Sequence, residues 1–342
     1  MRSGRKESGG GGGRDANPGH RHARFGAAFR NSPPRQSDMG RLPEPESAVM
    51  PHPADPPAAP PVTSTPRFTG RSALITGAGR GIGRAFAVAL AREGCRLVIC
   101  DICEGLPEGT PYPRTSRADL TETQRICEAL GAEVVWKVGD AGDPALAREL
   151  VALAERHFGG LDFLIANAAL TIEGEIVDLS PEIFETVVRN NLLGVFNILS
   201  PALRSMRHAG RGRVIVVASG DARHAEPNAA PYVASKWGLI GLAKVAALEV
   251  AKAGITVNAI LPGPVDTPMM SSEQRFRQVV PDKENPTRDD YLEARRDATP
   301  MGYAWVKPED IAAGALFLLS DEARFVSGGT LSIDAADSAN WT

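Results

Sequence analysis

The sequence is poor in cysteine: Cys95, Cys100, Cys103 and Cys127 are the only four in 342 residues. They are too few and too clustered for a disulfide framework in a chain of this length. Cys100 and Cys103 stand as C-x-x-C, a spacing used by zinc and redox sites. A structural zinc needs two further ligands, and no second pair is present. Cys100 also ends the apolar run Leu97-Val98-Ile99, so core packing is the favoured reading and no metal is expected. No stretch of about eighteen apolar residues occurs, which excludes a membrane-spanning helix. Charge of one sign is lacking as well, with 38 Lys/Arg against 41 Asp/Glu. Residues 1–66 hold nine of those bases and six of the acids, so residues 67–342 carry 29 against 35, or −6. That balance is a poor surface for nucleic acid, whose binding rests on phosphate neutralisation. An apolar segment behind the first basic residues is missing too, so no secretory signal is read and the expected location is cytoplasmic.

Regular periodicity is absent from residues 1–66. They contain a glycine run at 9–13 and 12 of the 27 prolines. Such a segment cannot bury enough apolar surface to fold. It reads as a disordered tail, or as upstream sequence included by a wrong start, with Met39 and Met50 as later candidates. Its arginines hint at a transit peptide, but six acids and many Gly and Pro residues oppose an amphipathic helix.

From residue 71 the pattern changes. Short apolar runs at 72–76, 96–100, 134–138, 163–166, 214–218, 256–260 and 330–333 predict seven strands. Helical spacing fills 82–93, 120–130, 144–158 and 232–253, with two further helices split near Asn191. Short Val- and Ile-rich strands alternating with helices predict an α/β fold: one doubly wound parallel sheet with helices on both faces, over residues 67–342. Residues 264–306 form a long connection with Met269, Met270, Phe276, Tyr291, Met301 and Trp305, suited to a lid with an apolar substrate face or to plain packing on the core.

The first strand runs into Gly77-Ala78-Gly79-Arg80-Gly81-Ile82-Gly83, and a helix follows. In that context glycines let the backbone approach a pyrophosphate, and the helix N-terminus offers it free N–H groups. Gly77, Arg80, Gly81, Ile82 and Gly83 are assigned to it. Asp101, 24 residues after Gly77, ends the second strand, where a carboxylate can accept from ribose hydroxyls. It would repel a 2′-phosphate, so NAD is expected over NADP. Ile102 is assigned to the same end. Arg80 opposes this choice if it meets that phosphate, and leaves it intact if it faces solvent or the pyrophosphate.

Tyr232 and Lys236 stand at i and i+4 of a predicted helix and so share one face. A free phenol is a poor base at neutral pH, and a nearby cation lowers its pKa. Tyr232 could then exchange a proton with an alcohol. Ser219, thirteen residues earlier at a strand end, could hold the reacting oxygen.

These elements together resemble the short-chain dehydrogenase/reductase family, over residues 68–337. The resemblance is carried by T-G-A-G-R-G-I-G at 76–83, Asp140, A-N-A-A at 166–169, N-N-L at 190–192, Ser219, Y-V-A-S-K at 232–236 and L-P-G-P-V-D-T-P at 261–268. It implies a Rossmann-type fold and a secondary alcohol/ketone oxidoreductase. Asn191 would join the catalytic group by holding a relay water, and Lys236 would also contact the nicotinamide ribose. Asp140 would meet the adenine edge and Asn167 the cofactor cleft. Pro262, Gly263, Val265 and Thr267 would border the nicotinamide. Ala169 departs from the family's usual glycine, which puts the local turn in question. A narrower likeness, D-I-C at 101–103 with P-Y-P at 111–113, D-L-T-E-T at 119–123, R-F-R-Q-V-V-P-D-K-E-N-P-T-R-D-D at 275–290 and W-V-K-P-E-D-I at 305–311, is to the carveol-dehydrogenase-like, mycofactocin-coupled branch. That implies tightly held NAD re-oxidised by mycofactocin. The apolar residues of 264–306 suggest a terpenoid or other hydrophobic alcohol as substrate, and the family resemblance suggests a homo-tetramer with the helices after the fourth and fifth strands at the interface. A freely exchanging ketone or 3-oxoacyl reductase and a non-catalytic NAD sensor are the competing readings.

Overall fold

The short apolar runs form seven parallel strands in a computed structural model that describes residues 65–340, apart from 104 and 106–108. The expectation for the first 66 residues therefore lies almost wholly outside the described residues. The strands are β1 Ser72–Thr76, β2 Arg96–Asp101, β3 Val134–Val138, β4 Phe163–Ala166, β5 Gly212–Val217, β6 Ile255–Pro262 and β7 Thr330–Ile333. They lie in the order β3-β2-β1-β4-β5-β6-β7, every neighbour parallel. The chain starts at β1, moves outward to β3, then returns to β1 with β4. At such a reversal the loops leave β1 and β4 in opposite directions and open a crevice.

Alternate residues of each strand enter two separate cores, because side chains point to opposite faces with period two. Leu74, Val98, Leu164, Val214 and Val257 pack beneath α3 Pro144–Phe158, α5 Gly194–Ala209 and α6 Ala230–Val250. Ile75, Leu97, Ile165, Ile215 and Ile260 pack beneath α1 Gly81–Arg92, α2 Arg117–Ala129 and α9 Pro308–Leu319. Each fully buried side chain of this kind contributes roughly 1.5–3 kcal/mol, so both faces resist exposure.

Three elements differ from expectation. α2 begins at Arg117, earlier than residue 120, because Ser116 and Asp119 form a capping box. The expected break near Asn191 is a π-helical turn, Arg189–Leu193, that joins α4 Pro181–Val188 to α5 without a gap. The long connection after β6 contains two short helices, α7 Glu273–Val279 and α8 Arg288–Ala294, started by the caps Ser272 and Thr287.

Candidate active site

The crevice is a cleft of about 600 Å³ over the C-terminal ends of β1, β4, β5 and β6. Its floor is the turn between β1 and α1. Gly77 has φ +67°, open to glycine without strain. A methyl on Gly83 would collide with the Gly77 carbonyl, so α1 can approach β1 only with glycine there. The α1 N-terminus carries no side-chain cap, leaving its N–H groups directed at the cleft for an anion.

Asp101 closes one end of this floor. Its Oδ2 accepts the Gly79 N–H at 2.9 Å, and its side chain is buried. Burial raises its pKa, opposed by hydrogen bonds from the backbone of Gly79, Cys103 and Ile102. Ile102 and Asp140 border the same end. Arg80 turns elsewhere: it donates to the carbonyls of Pro113 and Arg114 in the loop after β2. The Tyr112 hydroxyl in that loop accepts the Thr171 N–H at 3.3 Å, across 59 residues of sequence, and burial pushes its phenol up to about 12. The loop is thus strapped across the cleft at both ends, by Arg80 on the floor and by Thr171 beyond β4.

Asn167 follows β4 and ties the floor together, donating to the carbonyls of Thr76 at 2.9 Å and Gly77 at 3.2 Å. Ala169 lines the cleft and is not among the described residues with positive φ, so its methyl imposes no backbone strain. Pro262, Gly263, Val265 and Thr267 border the opposite side. Gly263 passes so close to Asp334 that a Cβ would lie 2.6 Å from the Asp334 Cβ.

Ser219, Tyr232 and Lys236 meet at the other end. Ser219 caps a short turn, Gly220–Ala222, and its Oγ accepts the Asp221 N–H at 3.2 Å. Tyr232 lies in the first turn of α6, its hydroxyl hydrogen-bonded to Ser219. Lys236 sits one helical turn on and is buried; its Nζ donates to the Val217 carbonyl at 2.9 Å and lies 5.3 Å from the centre of the Tyr232 ring. Burial pulls the ammonium down to about 8, while Asp221 acts the other way. Burial also pushes the Tyr232 phenol upward, the charge of Asp221 adds to that, and the Ser219 hydrogen bond opposes it. Loss of water around the ring is the largest of these influences, and the net shift of the phenol is upward.

Asn191 is the one assigned residue that does not border the cleft; its neighbour Asn190 does. The Asn191 amide is fully buried. Its Oδ1 accepts the Leu170 N–H and its Nδ2 donates to the Leu170 carbonyl, each at 2.8 Å, and Nδ2 also reaches Ser235 Oγ at 3.2 Å. The side chain locks the loop after β4 to α6.

The lid divides between the two expectations for its apolar residues. Of its six apolar residues, Met269, Met270 and Tyr291 line the cleft. Phe276, Tyr291 and Trp305 pack on one another, with ring centres 5.4 and 4.9 Å apart, and Met301 is exposed. Arg275 of α7 pairs with Glu173, and Gln278 donates to the same carboxylate at 3.0 Å. Asp221, His224, Arg275, Arg295 and Asp337 also reach the cleft. Sequence reasoning missed all five. A signal existed for two of them: Asp221 and His224 lie between Ser219 and Tyr232, in a loop whose two ends both border the site.

The four cysteines form no disulfide and are buried, and burial raises the thiols of Cys95, Cys100 and Cys127. Among the described residues no cluster of three metal-ligating side chains occurs, and no helix is long and apolar enough to cross a membrane.

Residues 77–335 match the family model described as enoyl-(acyl carrier protein) reductase. The chain belongs to the short-chain dehydrogenase/reductase family. Levodione reductase of Leifsonia aquatica is 37% identical over 82% of this chain and 99% of its own. The (−)-trans-carveol dehydrogenase of Rhodococcus erythropolis is 32% identical over 79% and 98%. The structure of carveol dehydrogenase from Mycobacterium avium in complex with NAD matches with a TM-score of 0.78 and 34% identity, over 80% of this chain and all of that one. As a member of this family the protein is an oxidoreductase built on a seven-stranded Rossmann-type sheet.

Proposed function

We propose that this protein interconverts a secondary alcohol and a ketone with NAD, using Tyr232 as the acid/base. The observation that carries the reading is the meeting of Ser219, Tyr232 and Lys236 at one end of a cleft whose other end is the glycine floor and Asp101. The floor fits a dinucleotide: Gly77 and Gly83 leave no room for side chains, and the α1 N-terminus is free to face a pyrophosphate. Asp101, Ile102 and Asp140 would hold the adenosine end, and Asn167, Lys236, Pro262, Gly263, Val265 and Thr267 the nicotinamide end. Asp101 disfavours a 2′-phosphate, and Arg80 is engaged with the strap. Bound there, NAD would accept the hydride in oxidation and, once reduced, donate it in the reverse direction.

The chain's own residues handle the proton. Ser219 Oγ and the Tyr232 hydroxyl grip the reacting oxygen. In oxidation Tyr232 takes the hydroxyl proton; in reduction it returns one to the carbonyl oxygen. Lys236 holds its cation behind the ring, where it stabilises the phenolate whenever it forms.

The finer reading is that NAD stays on the protein and passes its electrons to mycofactocin, the acceptor that the sequence resemblance implies. Support comes from the strap, fixed by Arg80 and Tyr112 across the cleft. Met269, Met270 and Tyr291 suit the apolar body of a terpenoid-like alcohol. The expected assembly is a homo-tetramer. The test is to denature purified protein, measure released NAD and NADP, and follow exchange with labelled NAD. Near-stoichiometric NAD and slow exchange are expected, with turnover only when an artificial electron acceptor is added. Rapid exchange contradicts the held cofactor and favours a freely exchanging reductase; a preference for NADP contradicts the role of Asp101.

A further inference from the structure

The substrate half of the cleft is not a hydrocarbon pocket. Asp221 and His224 line it beside Ser219, and Arg275, Arg295 and Asp337 enter from the lid and the C-terminal turn. His224 Nε2 lies 3.6 Å from Asp221 Oδ1, and the two side chains retain 15% and 24% of their exposure. His224 and Arg295 both attract the Asp337 carboxylate. Asp221 in turn senses His224, Glu226 and Arg275, and its side chain bonds the Ser219 hydroxyl. Burial raises the pKa of both carboxyls. An apolar molecule pressed on this wall would strip water from these groups and return no hydrogen bonds, which costs free energy for each group left unsatisfied.

We propose that Asp221 and His224 bind a second oxygen of the substrate, so that the protein acts on a neutral alcohol or ketone carrying a further hydroxyl or carbonyl near the reacting carbon. The inference rests on the dehydrogenase reading of Ser219 and Tyr232. Asp221 accepts a hydroxyl proton, and His224 donates to a carbonyl or hydroxyl oxygen. The Asp221 N–H binds Ser219 Oγ, which puts the pair next to the reacting oxygen and the second oxygen on a carbon one or two bonds away. Both signs of charge line the wall, Asp221, Glu226 and Asp337 with Arg275, Arg295 and Lys236, so neither an anion nor a cation is favoured over a neutral substrate. Met270, Val279 and Tyr291 then receive the carbon skeleton.

The test compares cyclohexanol with 1,2- and 1,3-cyclohexanediol on the full chain supplied with NAD and an artificial electron acceptor. Affinity for each is measured in parallel by calorimetry on the NAD-loaded protein. At least one diol is expected to exceed cyclohexanol in kcat/KM by about tenfold or more, the worth of one good hydrogen bond. His224→Leu should bring that ratio close to one, and His224→Gln should keep much of it. Asp221→Asn gives a second reading of the same ratio if His224→Leu does not fold. Turnover of cyclohexanol with no preference for a diol, or a preference that survives both His224→Leu and Asp221→Asn, overturns the inference alone. No binding and no turnover of any of the three overturns it together with the dehydrogenase reading.

Discussion

Tyr232 and Lys236 are held in opposition to their usual ionisation. Burial moves the phenol up and the ammonium down, so each resists its charged form until a partner charge arrives. This has a consequence for stability. Unfolded, Lys236 titrates near its ordinary value; folded, it titrates at about 8. Below that pH the folded protein carries the full cost of the buried cation, roughly 3 kcal/mol. Above it the folded lysine sheds its proton before the unfolded one does, and the cost fades toward the ordinary value near 10.5. Lys236→Met removes the charge altogether. The melting temperature of the wild type relative to Lys236→Met is therefore expected to rise between pH 8 and 10, read by calorimetry. A difference that stays flat over this window contradicts the buried ammonium.

At the scale of elements, the strap after β2 ties the glycine floor to the segment beyond β4, which is where retention of a cofactor would be tested. Two anchors of its described residues are the Arg80 guanidinium on two carbonyls and the Tyr112 hydroxyl on Thr171. Arg80→Ala and Tyr112→Phe are expected to speed exchange of labelled NAD by about tenfold or more, since each removes a hydrogen bond worth on the order of 1 kcal/mol and lets the loop detach. Unchanged exchange in the double variant assigns retention to the floor alone. The sheet and the glycine floor were legible in the sequence because their signals are local: apolar runs of strand length, helical spacing and a glycine turn between them. The strap was not, since the Tyr112 to Thr171 contact spans 59 residues and leaves no period. The π turn at Asn191 was read as a break for a similar reason. A one-residue widening of a helix keeps its composition and changes only its hydrogen-bond partners. The lid aromatics were ambiguous in sequence because a Phe or Trp that packs on its neighbours has the same pattern as one that faces a ligand.

At the scale of the whole molecule, two groups of exposed apolar side chains stand out among the described residues. Trp237, Val245 and Leu248 form a stripe along α6, beside Leu193 and Phe196, with Leu248 82% exposed. Phe317, Phe325 and Val326 form the second, near the start of β7, with Phe325 88% exposed. Soluble monomers rarely leave patches of this kind uncovered. A tetramer with three twofold axes would need two kinds of isologous interface, and these two surfaces are the candidates for them. Light scattering of the purified protein is expected to give four subunits, and Trp237→Asp with Leu248→Asp to give two. A monomeric wild type contradicts the proposed assembly.

The central claim is that Tyr232 moves the proton in a hydride transfer to bound NAD. The most direct measurement is a single turnover on NAD-loaded protein, following reduced nicotinamide at its absorbance band after an alcohol is added. The wild type is expected to form it. Tyr232→Phe, which keeps the ring packing but lacks the hydroxyl, should hold NAD equally and form it more slowly by about a hundredfold to ten-thousandfold. Equal rates in the two proteins, with equal NAD content, contradict the account.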